Sequence, residues 1–195
     1  MATLPEQLSP FTLLRRENVT AEEEKKNGLS IFRFHIHGKG YFEAEFRSQK
    51  DSPSPLAIEL RLEERARARL KIIHRGQKDS LFRCRTLQKH LGDYSASTVE
   101  IKCVCEDDAQ LDYVGKIEVP ENIRGVQAIQ RNKNLVFSEK VCIHTEPAMD
   151  VRSKDVECIH GAATGGIDGE ILHYFSLRGV EKSLAQELYI AGFLG

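Results

Sequence analysis

The sequence predicts a mainly β protein with a small helical region at its C-terminal end. Two observations support this prediction. Apolar and polar residues alternate with a period of two over most of the chain, and helical spacing begins only after Asp168. The pattern divides the chain into an N-terminal segment over 1–30, a β core over 31–166 and a helical hairpin over 167–195.

The N-terminal segment has no clear periodicity. It contains Pro5 and Pro10, and residues 21–27 form a run of mostly charged side chains. Such a composition is typical of a loose or solvated segment. We therefore expect residues 1–30 to lie outside the packed core, and the sequence assigns no function to them.

The stretch from Ile58 to Ile72 is the clearest strand signal. Its content of Glu, Arg, Ala and Leu suits a helix, but its even positions other than Glu64 are apolar and its odd positions are charged, so the period is two. We expect one strand with one solvated face. Its basic face could instead bind nucleic acid, but a net charge of −1 argues against such a partner and favours a protein.

The same alternation recurs from residue 32 to residue 158. The apolar positions are Phe32, Phe34, Ile36, Val99, Ile101, Cys103, Cys105, Leu111, Tyr113, Ile117, Val119, Leu135, Phe137, Val141, Ile143, Val156 and Cys158. Turns are predicted at residues 51–55, 75–77, 120–122, 131–134 and 145–147. Short strands with irregular corners suit either a sandwich or a stacked solenoid, and the pattern alone leaves both open.

Two short helices are predicted after the β core. Asp168 is a suitable N-cap, and Gly179 is a suitable stop for the first helix. The second helix begins near Glu181. The apolar positions at helical spacing are Ile171, Leu172 and Phe175 in the first helix, and Leu184, Ala185 and Leu188 in the second.

The five cysteines follow no CxxC pairing. The first thirty residues hold no long apolar run, so the sequence predicts neither a secretion signal nor a membrane span. We expect reduced thiols and a cytoplasmic location.

A set of marks near the C-terminal end carries a family resemblance. They are Asn134-Leu135, Thr145 and Pro147, Asp155-Val156, Cys158, His160-Gly161-Ala162, Gly165, Ile167-Asp168, Tyr174, Arg178-Gly179, Ala185 and Gly192-Phe193. In these residues the chain resembles the C-terminal part of the SufB/SufD family of iron–sulfur cluster assembly proteins. The resemblance implies a right-handed parallel β-helix, a β-solenoid, followed by a C-terminal helical region.

Two departures make the chain more similar to SufD than to SufB. Val141 stands where SufB-like chains carry a cysteine, and Gly161 stands where they carry a glutamate. The resemblance implies a non-catalytic subunit that pairs with a SufB-like scaffold subunit and presents His160 at their shared interface. A homodimer is also compatible with it.

The resemblance also implies that the C-terminal helices dock a SufC-like ABC-type ATPase, which hydrolyses the ATP. The residues that we expect to contact it are Tyr174, Arg178, Gly179, Leu184 and Leu188.

Cys158 and His160 are the candidate ligands. On a strand, residues i and i+2 point to one side, and thiolate with imidazole suits iron or zinc. Two donors do not complete a site, so we expect iron or a cluster to be bound jointly with a partner and not tightly by the isolated chain. Cys142 and His144 repeat the spacing but are expected on the opposite face.

Simpler interpretations stay open. Cys158 can be a small buried apolar residue, and Cys103 and Cys105 are expected to pack in the core. His35 and His37 lie on the polar face of their strand and are expected to be solvent-exposed. The competing function classes are a stand-alone β-solenoid that binds a protein and a small metal-dependent enzyme that uses Cys158 and His160.

Overall fold

Ten strands followed by two helices make up the part of the chain that the structure describes. The structure is a computed structural model and describes residues 11–48 and 54–195. Pro5, Pro10 and most of the turn expected at 51–55 lie outside the described residues. The strands are β1 (Phe11–Lys26), β2 (Leu29–Ser48), β3 (Leu56–Leu62), β4 (Arg67–Gly76), β5 (Leu81–His90), β6 (Ala96–Cys105), β7 (Gln110–Val119), β8 (Val126–Val136), β9 (Cys142–Val151) and β10 (Val156–Gly165), and the helices are α1 (Gly169–Ser176) and α2 (Lys182–Leu194).

The strands form a parallel β-solenoid of about five turns. Strands β3, β5, β7 and β9 stack in parallel on the first half of β2, and β4, β6, β8 and β10 stack on its second half. Paired residues lie 26 to 32 positions apart, from Ser30 opposite Leu56 to Gln110 opposite Cys142. The variable offset explains why the sequence shows no fixed repeat. Of the two architectures left open, the structure is therefore the solenoid.

The inward-facing side chains of the alternating pattern fill the interior between the two stacks. The aromatic residues that are completely buried are Phe32, Phe34, Phe42, Phe82 and Tyr113. Burying a side chain of this size stabilises a fold by about 1.5–3 kcal/mol. The interior also contains polar residues that form hydrogen bonds across strands, as between Thr86 and Tyr113, whose hydroxyls lie 2.7 Å apart.

The single strand predicted from Ile58 to Ile72 is wrong, because the chain turns a corner within it. Strand β3 ends at Leu62 and β4 begins at Arg67, with Arg65 in the left-handed region at φ 57°. Leu62, Ala66 and Ala68 are nonetheless all buried. Only Glu64 interrupts the alternation, and the period of two resumes in the same phase at Ala66, so the corner was easy to miss in the sequence.

The N-terminal segment forms a strand instead of a loose chain over its described part. Strand β1 pairs antiparallel with β2, with Phe11 opposite Phe46 and Lys26 opposite Leu29. Most of its side chains are exposed, but Phe11 is buried against Phe32 at 4.9 Å between ring centroids. The sequence alone does not show that this segment pairs with a long neighbouring strand, and such pairing compensates for its weak local strand propensity.

Two predicted turns are also wrong. Residues 131–134 lie inside β8 and residues 145–147 lie inside β9. Asn132 and Asn134 are turn formers by composition, yet both are buried on the inward face of β8.

Helix α2 packs on the outer surface of the second stack. Its buried residues are Ala185, Ile190 and Leu194. Ile190 and Leu194 cluster with Ile73, Val104 and Leu135 on the strands. The predicted stripe is therefore divided, because Ala185 is buried while Leu184 and Leu188 are about half exposed.

Candidate functional site

Cys158 and His160 lie on β10, the last strand of the second stack. Within the described residues, β10 pairs with β8 alone, so its other edge is free. Cys158 stands opposite Ala128 and His160 opposite Gln130. Both side chains are partly buried, whereas Ile159 between them is exposed. The prediction that they share one face is confirmed.

The surroundings of the two side chains set their chemistry. Cys158 packs against a small apolar cluster that includes Val126 and Ala128. Burial raises the pKa of the Cys158 thiol and lowers the pKa of the His160 imidazole. At neutral pH both groups are therefore uncharged. The imidazole has a lone pair to offer, while the thiol must lose a proton before it can bind a metal.

A row of amide side chains on β8 lies next to β10 in the sheet, and sequence reasoning missed it. Gln130, Asn132 and Asn134 are buried, and Asn134 Nδ2 donates to Thr164 Oγ1 on β10 at 3.1 Å. Among the described residues, Gln130 Nε2, Asn132 Nδ2 and His160 Nδ1 find no hydrogen-bond partner. The period-two spacing of these amides was the available signal.

The second Cys-His pair is not part of this site. Cys142 and His144 are exposed on β9, and His144 lies 3.9 Å from Glu146. Val141 and Ile143 instead pack against the core, as the strand phase predicted. Within the described part of the chain, no third histidine, cysteine or carboxylate joins Cys158 and His160 in a three-ligand cluster.

The two helices leave large apolar side chains in solvent. Tyr174 and Leu177 are 52% and 71% exposed, and Leu184 and Leu188 are 53% and 49% exposed. The Arg178 guanidinium lies 3.6 Å from the centroid of the Tyr174 ring, in cation–π geometry.

The connections of the helices explain this arrangement. Asp168 caps α1 by accepting a hydrogen bond from the Glu170 N–H at 2.9 Å. Gly179 adopts φ 72° between the helices, where a residue with a side chain would be strained. Both residues serve as the predicted helix boundaries. We refer to Tyr174, Leu177, Leu184 and Leu188 as the helical apolar residues.

A comparison with known families agrees with these features. The model described as "SUF system FeS cluster assembly, SufBD core domain" matches residues 53–193. The chain belongs to the SufBD family. The parallel β-solenoid and C-terminal helices that the resemblance implied are confirmed by the structure.

Individual relatives match over part of their length. The chain is 34% identical over 94 residues to the iron–sulfur cluster assembly SufBD family protein slr0076 of Synechocystis. The matched segment is 48% of this chain and 21% of that protein. It is 28% identical over 116 residues to SufD of Escherichia coli, and this match covers 60% of this chain and 27% of that protein. It is 28% identical over 123 residues to SufD of Bacillus subtilis, and this match covers 63% of this chain and 28% of that protein. The matched segments thus span less than a third of each relative.

Over the ranges that the structure describes, neither helix is long and apolar enough to cross a membrane.

Proposed function

We propose that this chain is a SufD-like, non-catalytic subunit of an iron–sulfur cluster assembly scaffold. It pairs with a SufB-like subunit through the open end of its solenoid and docks a SufC-like ATPase through its C-terminal helices. The observation that carries the proposal is the edge of β10 beside His160 and Cys158, which is unpaired among the described residues. The five free thiols suit a reducing compartment, and the cytoplasm is the proposed location.

The open end of the solenoid suits a polypeptide partner. Strands β9 and β10 each have one paired neighbour in the described chain, so a row of backbone donors and acceptors is available to an added strand. A Cβ atom built at Gly161 or Gly165 meets nothing within 4 Å. A partner backbone can therefore approach this part of β10 closely.

The polar groups near this end favour a partner that supplies hydrogen bonds. Buried polar atoms without partners cost about 1–3 kcal/mol each. A partner, or water held at the interface, would satisfy His160 Nδ1, which has no bond within the described chain. His160 would thus gain a hydrogen bond from the pairing.

The ligand set supports joint binding of the cargo. Cys158 and His160 supply two donors, and iron–sulfur clusters and tetrahedral metals need more. Burial raises the pKa of Cys158, which weakens metal binding by the free chain. Iron or a cluster under assembly would therefore be held between the two subunits.

The helical apolar residues fit the second partner. Leu184 and Leu188 are four positions apart on α2 and share a face, since residues i and i+4 are neighbours on a helix. Their exposure, with that of Tyr174 beside Arg178, provides apolar anchors for a docked protein.

Co-expression with SufB-like and SufC-like proteins tests the proposal. Wild type, His160→Ala and the matched control His144→Ala are compared by size-exclusion chromatography, with iron and acid-labile sulfide measured in the complex. We expect all three chains to form the complex and only His160→Ala to lose cluster. Failure of the wild type to form a complex would refute the proposal and favour a stand-alone binding module.

A second set of variants separates the two partner surfaces. We expect the double variant Leu184→Asp/Leu188→Asp to lose the ATPase while keeping the SufB-like subunit. Leu91→Asp changes an exposed leucine outside the helices and serves as the control. Retention of the ATPase by the double variant would contradict docking through α2.

A further inference from the structure

Two histidines and a glutamate meet near the other end of the solenoid. His35 and His37 lie on β2, and Glu63 follows directly after β3, which pairs with β2. These strands belong to the first two coils, whereas Cys158 and His160 belong to the last. The cluster is therefore separate from the site proposed above.

The distances within the cluster match those between ligands of one metal ion. His35 Nε2 lies 3.0 Å from Glu63 Oε1, and His37 Nδ1 lies 3.2 Å from the same oxygen. All the ligand atoms lie within 4.8 Å of one another. Zinc bonds to nitrogen and oxygen of about 2.0–2.2 Å place tetrahedral or octahedral ligands roughly 3.0–3.5 Å apart. The two imidazole nitrogens, which lie within 4.8 Å of each other, would have to reach the same range.

Outer contacts already orient two of the three side chains. His37 Nε2 lies 3.0 Å from Thr20 Oγ1 on β1. The Gly38 N–H donates to Glu63 Oε2 at 3.0 Å, which leaves Oε1 directed at the histidines. Metal-bound histidines and carboxylates are usually held by such second contacts, which fix the tautomer and the ring orientation.

Hydrogen bonding alone does not account for the cluster. His35 Nε2 is buried, and its 3.0 Å approach to Glu63 Oε1 lacks hydrogen-bond geometry, so it has no hydrogen-bond partner among the described residues. A cation shared by the two imidazoles and the carboxylate would satisfy this nitrogen. The three side chains are 35–39% exposed, so the cluster lies at the surface of the solenoid.

The carboxylate is prepared to bind a cation. Burial raises the pKa of Glu63, but the hydrogen bond from Gly38 and the neighbouring histidines outweigh that effect, and the pKa is lowered. Glu63 is therefore ionised at neutral pH.

We propose that His35, His37 and Glu63 form a binding site for a divalent transition metal ion, with Zn²⁺ as the favoured ion. Two imidazoles and one carboxylate are borderline ligands that suit Zn²⁺ and Co²⁺, and the remaining position is open to water. The site does not depend on the proposed function, because it needs neither a partner subunit nor Cys158.

Metal titration of the EDTA-treated full-length chain tests the site. Zn²⁺ affinity is measured by calorimetry, and Co²⁺ absorbance reports the coordination. The variants are His37→Ala and Glu63→Gln, and the matched control is His144→Ala with Glu146→Gln, an exposed His-Glu pair on β9. Glu63→Gln keeps an oxygen that can accept from the Gly38 N–H, and circular dichroism checks the fold of each variant.

We expect one equivalent of Zn²⁺ to bind to the wild type and to the control. Either ligand variant should weaken Zn²⁺ binding by more than about tenfold. Losing a residue that only contacts a ligand already costs about 10- to 100-fold in metal affinity, and losing a ligand itself should cost more. Thr20→Val should weaken it by about 10- to 100-fold, since it removes the oxygen next to His37. Unchanged affinity in a folded Glu63→Gln variant would overturn the proposal.

The background Cys158→Ser/His160→Ala separates this site from the one on β10. Zn²⁺ binding that persists in this background supports the cluster on β2 and β3. A thiolate-to-cobalt charge-transfer band that disappears in this background, together with loss of Zn²⁺ binding, would assign the metal to β10 instead and overturn the proposal.

Discussion

Arg75 at the end of β4 forms a two-pronged ion pair with Glu187 on α2. Its guanidinium nitrogens donate to the Glu187 carboxylate at 2.8 Å and 2.6 Å across a separation of 112 residues. The same guanidinium donates to Glu106 at 2.8 Å and 3.1 Å. Arg75 thus links α2 to two coils of the solenoid. These hydrogen bonds raise the pKa of Arg75 further above its ordinary value.

Removing the helix side of this link should loosen α2 without unfolding the solenoid. We expect Glu187→Gln to cost about 0.5–1 kcal/mol, because Glu187 is largely exposed and surface pairs contribute little. Hydrogen exchange of the α2 amides should accelerate while that of β4 and β6 stays slow. Glu121→Gln removes a charge from the turn between β7 and β8 and should leave α2 unchanged. Equal exchange in both variants would contradict the link.

Gly92 is required where consecutive corners stack. A Cβ atom built at this position lies 2.8 Å from the Cα of Glu64 and 2.9 Å from the carbonyl carbon of Glu63, both in the backbone of the preceding corner. We expect Gly92→Ala to destabilise the fold by about 1–3 kcal/mol through overpacking. Urea unfolding measures this change.

The matched control is Gly192→Ala in α2. A Cβ atom there meets nothing within 4 Å, and alanine favours the helix by about 0.5–1 kcal/mol. A stability loss in Gly192→Ala as large as that in Gly92→Ala would show that the corner contact is not the cause.

The sequence predicted the strands better than their corners. Alternation depends only on which side chains are buried, and it correctly placed Phe34, Ile101 and Tyr113 in the interior. Asn132 and Asn134 were assigned to a turn because composition cannot show that a solenoid interior accepts amides, of which Asn134 bonds to Thr164 on the next coil. Their spacing of two from Gln130 indicated one shared strand face, and their burial in the structure shows that this face points inward.

The same reasoning explains the outcome for the two candidate sites. The shared face of Cys158 and His160 follows from their spacing of two, so one sequence segment predicts it. His35 and Glu63 are brought together by the pairing of β2 with β3. The offset between coils varies along the chain, so a fixed sequence spacing cannot predict that contact. The role of Cys158 and His160 stays a prediction.

The five cysteines should differ widely in reactivity. Burial raises the pKa of Cys84 to about 12 and that of Cys105 to about 11, and it raises the pKa of Cys103 well above the ordinary value. Cys142 is exposed and Cys158 is partly buried. We expect iodoacetamide to modify Cys142 first and Cys158 more slowly, because the thiolate is the reactive form.

Peptide mass spectrometry measures these rates one cysteine at a time. The three buried cysteines should react only after denaturant is added. Cys142→Ser removes the fastest phase and leaves that of Cys158 unchanged. Rapid labelling of Cys84 in the native chain would be incompatible with its place in the core.

Two buried histidines make stability depend on pH. Burial lowers the pKa of His74 and that of His90 to about 4, from an ordinary value of 6.5. His90 is held by contacts of 2.8 Å from Nδ1 to Ser95 Oγ and from Nε2 to Ser97 Oγ. His74 stacks on Phe82 with ring centroids 4.2 Å apart.

Stability should therefore fall as the pH is lowered from about 6.5 to about 4, and His74→Phe should reduce that loss. In this window the unfolded chain binds protons that the folded chain excludes, so each histidine lowers the unfolding free energy by up to about 1.4 kcal/mol per pH unit. Phenylalanine keeps the ring on Phe82 without the titrating group, so the slope of unfolding free energy against pH should fall by the contribution of one histidine. Urea unfolding at several pH values measures the slope, and the exposed variant His144→Gln should leave it unchanged. An unchanged slope in His74→Phe would mean that the folded chain accepts the proton on His74 without cost.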